Sequence, residues 1–399
     1  MIQKIRCSVH FVAPAFLGDA HQKGSWRTPP FKALLRQWWR IAVAGQFGYD
    51  HTRLREEEGK LFGHAWLTNS QGKTWAMQGR VRLNLDRWDR GKLFEWPKDP
   101  EVIHPEVNRS KIGSHLYLGF GPLIIPKEAK APMIPKKATA LKNKPAINAD
   151  ECSKFTLCFP ERETETVLQV LQLINWFGSV GGRSRNGWGS ITLFGCEEGK
   201  ILPSDDLLEG RNLEKIGAQI RLLDECMELD WPHAFGQSAD GKPLIWKTKE
   251  EYQTWSEAMQ ELARVKIAFR TKIPIDENSD IRNPSFEKRH LLSYPVTNHG
   301  VDGWVKKDKR GNFETDRHGK LKQEDRLANQ LRFKLLRTNS GKFVAIAYHL
   351  PHGLPKQLKD KLDSRRNIHK PTPEWQLPVW REVHDTLDSE MTRIERAPQ

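Results

Sequence analysis

Apolar positions recur along this chain with two periods, and each period marks a different kind of element. From Lys4 to Val12 apolar Ile5, Cys7, Val9 and Phe11 alternate with polar Lys4, Arg6, Ser8 and His10, the pattern of a half-buried strand. Pro14 and Gly18 break it. Residues 26–45 change to a helical period: Phe31, Leu34, Leu35, Trp38, Trp39 and Ala42 fall on one face. Thr28 is placed to cap this helix, with Pro29 at its first position and Gly45 at its end. Trp75–Leu85 alternates again, and His115–Phe120 and Phe155–Phe159 read as apolar strands. Glu161–Phe177 is a second helix, with acidic first turns and a stripe of Val167, Leu168, Leu171, Ile174 and Phe177. Gly178 stops it, and a glycine-rich loop to Gly189 leads into a strand at Ile191–Phe194.

The order strand, helix, strands, strand, helix, strand predicts a βαββαβ ferredoxin-like unit, the architecture of RNA-recognition modules. It carries an insertion at 121–150, rich in lysine and proline, that reads as a basic hairpin or a solvated loop. Residues 201–250 are acidic, with 6 Lys+Arg against 10 Asp+Glu, and read as a helical connector. In 251–399, Leu262–Thr271, Leu331–Leu336 and Phe343–Leu350 are strand candidates, and Trp375–Arg396 a terminal helix. Between them, 276–330 is polar and basic. The expected class is therefore α+β, with two ferredoxin-like (RRM-like) units in tandem, 1–200 and 251–399, although no clear sequence repeat links them.

Charge gives the pattern a direction. The chain of 399 residues has a net charge of +14. Residues 1–200 carry 30 Lys+Arg against 19 Asp+Glu, and residues 201–399 carry 34 against 31, so most of the excess lies in the first half. Such a field draws a polyanion, most simply nucleic acid. No apolar run approaches the roughly 20 residues of a membrane span, and the N-terminus lacks a signal-peptide profile, so a cytoplasmic location is expected. Five scattered cysteines without a Cys-x-x-Cys argue against disulfides and structural zinc, and His349-x-x-His352, interrupted by Pro351, reads as a loop. No metal or cofactor is expected.

Three groups of cations stand out. Lys32, Arg36 and Arg40 lie four residues apart and form a second stripe on the tryptophan helix. Arg183 and Arg185 project from the glycine loop, and Lys136 and Lys137 sit in the insertion. For the helix the plain alternative is a solvated face, and for the loop a structural turn. The loop is not a nucleotide cradle. It lacks the Gly-Lys-Ser/Thr of a Walker A motif, and it follows a helix, presenting the C-terminal pole, which is wrong for phosphate.

Five segments together resemble the RAMP superfamily of CRISPR-associated proteins, and within it the Cmr subunit one family of type III-B effector complexes. They are Ala13-Pro14-Ala15-Phe16-Leu17-Gly18, Thr28–Arg40, Leu61-Phe62-Gly63, Gly181–Gly189 and Leu291-Leu292-Ser293-Tyr294-Pro295-Val296. Ala13 departs from the pattern, which has a threonine there. The resemblance implies two RAMP folds and a non-catalytic subunit that holds guide RNA and target RNA near the guide 3′ end beside other RAMP subunits. It also implies that the first helix approaches the RNA backbone. Two alternatives stand beside it. One is a metal-independent endoribonuclease using His10 and His21 near Lys32, since 2′-hydroxyl attack needs a base, an acid and a cation for the phosphate. The other is a protein scaffold whose charge meets acidic partner subunits.

Overall fold

A computed structural model describes residues 1–68, 71–107, 109–126, 139–196, 201–275, 284–296, 299–316, 319–362 and 371–397. In the first half, β1 (Ile2–Phe11), α1 (Thr28–Val43) and α2 (His51–Phe62) precede β2 (Arg82–Leu85) and the short α3 (Ser114–Gly119). Next come β3 (Cys152–Pro160), α4 (Thr164–Phe177) and β4 (Ile191–Phe194). The second half holds β5 (Ile245–Lys247), α5 (Trp255–Lys272), β6 (Leu331–Arg337), β7 (Phe343–His349), α6 (Pro373–Glu390) and β8 (Thr392–Arg393).

Each half builds one four-stranded antiparallel sheet. The first runs β4-β1-β3-β2 and the second β6-β7-β5-β8. Numbered within its half, each sheet has the order fourth, first, third, second. A repeat that the sequence does not display is therefore present in the topology. The chain is α+β.

The alternation in β1 places Ile5, Cys7, Val9 and Phe11 in the core, and α1 packs along α4 over that face. Both adjacent tryptophans of α1 are buried. Trp39 meets Phe47 and Phe62, whereas Trp38 reaches Phe177 of α4, Phe235 and Tyr348 of β7. The two halves consequently share a core. A buried lysine ties them as well: Lys334 of β6 donates from Nζ to the carbonyls of Ile174 and Asn175 at the end of α4. Helix α4 is buried on nearly all sides over its second half for this reason.

Several expectations are corrected. The segment expected as a strand at His115–Phe120 is helical up to Gly119, because the Asp99 carboxylate accepts from the His115 and Leu116 amides (2.8 and 3.0 Å) and supplies what the helix start lacks. Leu262–Thr271 is the interior of α5, whose start is a capping box of Thr254 and Glu257. The terminal helix stops at Glu390, and Thr392–Arg393 pairs with β5. The acidic stretch 201–250 holds short helices, a strand pair (Ile220–Leu222 with Phe235–Gln237) and β5, an inner strand of the second sheet. A disulfide joins Cys7 to Cys196. Their separation in sequence hid this, but β1 and β4 are neighbours and bring the two Cα atoms to 4.5 Å. Cys152, Cys158 and Cys226 are free thiols. At the base of the basic insertion Leu123–Ile124 pairs antiparallel with Ala140–Leu141; residues 127–138 lie outside the described residues.

Candidate nucleic-acid interface

The glycine loop is stitched to both halves. On one side Gly182 donates to the Phe16 carbonyl and Gly189 to that of Pro14, both at 2.9 Å, so the Ala13–Gly18 segment and the loop form one structure. On the other side Phe333 donates to the Arg185 carbonyl and Leu335 to Ser190 Oγ, both at 2.9 Å, which fastens the loop to β6. The glycine at 189 is obligatory: its φ is +67°, and a Cβ there would stand 1.9 Å from the Val180 carbonyl oxygen. Trp188 is buried among Phe16, Trp96, His115 and Trp255, anchoring the loop while its arginines project.

Those arginines border a groove of about 990 Å³ between the halves. Its other walls are α3, α5, the Ser293–Val296 segment and residues 320–329. Six cations line it: Arg183, Arg185, Lys266, Arg270, Lys320 and Arg326. Among the described residues no Asp or Glu lines it. Two of the five sequence segments that carry the family resemblance, Gly181–Gly189 and Leu291–Val296, thus line one groove.

The electrostatics follow from that composition. Burial, then Arg332, lowers Arg185 to about 10, and burial with Arg326 nearby lowers Arg183. Lys266 is lowered to about 7, chiefly by burial and then by Arg270 and Arg183. Its ammonium donates to Asn186 Oδ1 at 2.9 Å, and Asn186 Nδ2 donates to the Leu118 carbonyl at 2.7 Å. Asn186 therefore holds α5 and α3 to the loop. Arg270 is steadied by Ser293 Oγ (2.7 Å) and Arg185 by the Asn329 carbonyl (3.2 Å). These cations are part-desolvated and repel one another with no lining carboxylate among the described residues to offset them, and an anion entering the groove would relieve that repulsion.

The stripe on α1 lies elsewhere. Arg36 and Arg40 both pair with Glu58, a buried carboxylate of α2, the second at 3.4 Å. Together they border a separate groove of about 650 Å³ with His51, Arg55, Asp230 and Trp231. Lys32 is half-buried, and burial, then Arg36, lowers its pKa. Among the described residues none lines both grooves. Lys136 and Lys137 lie outside the described residues. His10 sits against Ser8 Oγ (2.9 Å) and Phe194, while His21 lies in a turn organised by Asp19. Among the described residues no hydrogen bond or ring contact joins either histidine to the other or to Lys32.

Sequence reasoning missed Lys266 and Arg270. They are four residues apart, and once α5 is known to be a helix they form a second cationic stripe. The signal was Thr254-Trp255-Ser256-Glu257, which fits a capping box and starts the helix eight residues before the segment read as a strand.

Fold and groove define a two-lobed α+β protein with a basic cleft that no carboxylate lines among the described residues. In structure comparison the chain is similar to Cmr1 from Pyrococcus furiosus in its apo form, at 15% identity over 88% of each chain, with a TM-score of 0.39. It is also similar to a chain of the type III-B Cmr-beta complex bound to cognate target RNA and AMPPnP in the presence of single-stranded DNA: 12% identity, 96% of this chain, 98% of that one, TM-score 0.46. A chain of Cmr-beta bound to cognate target RNA gives 11%, 96%, 99% and 0.43. No family model and no curated protein matches. Among the described residues, no helix is long and apolar enough to cross a membrane.

Proposed function

We propose that this chain is a Cmr1-like subunit of a type III-B CRISPR effector, made of two tandem ferredoxin-like RAMP folds. It binds guide RNA, target RNA or both near the guide 3′ end, beside other RAMP subunits in the cytoplasm, and does not itself cut RNA. The observation that carries this reading is the groove at the glycine loop, with six cations and no lining carboxylate among the described residues. The shared strand order of the two sheets supports the tandem fold. Arg36 and Arg40 are partly neutralised by Glu58, so Lys32, Arg36 and Arg40 are assigned a secondary stretch of RNA backbone and Arg183 and Arg185 the main one.

Binding of labelled single-stranded RNA, measured over a range of salt alone and in the assembled complex, tests the reading. Log affinity is expected to fall with log salt by about 0.7 per phosphate contact. Affinity that ignores salt, or no binding in either form, rejects it. Cleavage of the RNA without metal would replace it with the nuclease alternative.

A further inference from the structure

Beside its cations the groove carries an apolar ring, Phe120. This residue directly follows α3, is 65% exposed and lines the groove wall. Arg183 crosses the chain immediately after it: a Cβ built on Gly121 would lie 3.2 Å from Arg183 Nη2. One turn earlier, the Tyr117 ring has its centroid 5.6 Å from Lys266 Nζ. Along this wall an open aromatic face, a guanidinium and an ammonium succeed one another. Exposed aromatic faces beside cations are how proteins hold single strands, because every base offers a π-face and every nucleotide a phosphate.

We propose that this wall seats one unpaired nucleotide, its base stacked on Phe120 and its phosphodiester between Arg183 and Lys266, so that the groove takes single-stranded RNA in preference to duplex. The proposal rests on the RNA-binding reading and narrows it. An A-form duplex keeps its bases stacked on one another and presents no free face to Phe120. Lys266 adds a signature. Burial, with Arg270 and Arg183 nearby, lowers it to about 7, so above that pH it is largely neutral. A phosphate restores its charge, and RNA binding then takes up a proton above pH 7 and none well below it.

Fluorescence anisotropy on the full chain, with a labelled oligouridine and an RNA duplex of equal length, tests this. Phe120→Ala is expected to weaken oligouridine binding by about 5- to 100-fold with the salt slope unchanged, and Phe120→Trp to restore it. Because Phe120 is exposed, the melting temperature of Phe120→Ala should match the parent. Lys266→Arg should keep affinity while losing its decline above pH 7. Duplex bound as tightly as the single strand, or Phe120→Ala binding like the parent, overturns the proposal and leaves the RNA-binding reading intact. Binding of neither RNA removes both.

Discussion

The Trp38 indole of α1 lies 6.2 Å, centroid to centroid, from the ring of Tyr348 on β7, so the first helix of one half packs on the central strands of the other. Tyr348 in turn donates to the Phe177 carbonyl at 2.8 Å, at the last residue of α4. Trp38→Ala opens a cavity at this junction and is expected to cost about 3–5 kcal/mol. Because the junction belongs to both halves, thermal unfolding should remain a single transition at lower temperature. Two separated transitions in the parent protein would contradict a shared core.

Arg36 and Lys32 belong to the same stripe but differ in what they hold. Removing Arg36 leaves the buried Glu58 with Arg40 alone, and a lost charged hydrogen bond of this kind costs about 1.5–3 kcal/mol. Lys32→Ala should stay within about 0.5 kcal/mol of the parent, as surface substitutions usually do. Urea midpoints of the two variants check the difference. Equal midpoints would show that Glu58 does not depend on Arg36.

Acid should destabilise the fold early. His349 and His384 have ring nitrogens 3.0 Å apart, so the accepting ring must be neutral and the pair has no room for two charges. Burial lowers His349 well below the ordinary range and His384 to about 3, and it brings His290 to about 3 and His233 and His352 to about 4. Unfolded, each returns to about 6.5 and binds a proton that the fold refuses. Stability is therefore full above pH 6.5 and declines as pH falls toward 4, by up to about 1.4 kcal/mol per unit for each histidine. Urea unfolding between pH 7 and 5, before carboxylates titrate, should show the decline. A flat profile there would mean that these rings are hydrated.

Much of this was legible in the sequence. The first half could be read because β1 and α1 each set a regular apolar face against a polar one, and α4 keeps exposed or half-buried positions between its apolar ones in its first turns. The second half resisted because α5, β6 and β7 are buried on more than one side, and a residue such as Lys334 is polar yet wholly internal. Periodicity cannot separate helix from strand in such a segment, and only the capping box could have decided α5. The groove's arginines on the glycine loop were visible as motif residues. Lys266, Arg270, Lys320 and Arg326 were not, because folding alone brings them to the loop.

The most direct test of the central claim is the salt dependence of single-stranded RNA binding for the parent and for Arg183→Ala and Arg326→Ala. Among the described residues neither arginine has an ion pair, so both substitutions should leave the melting temperature nearly unchanged. If the groove binds RNA backbone, each variant loses affinity, and the slope of log affinity against log salt becomes shallower by about 0.7. Parent-like affinity and slope in both variants would contradict the claim that this groove is the RNA-binding surface.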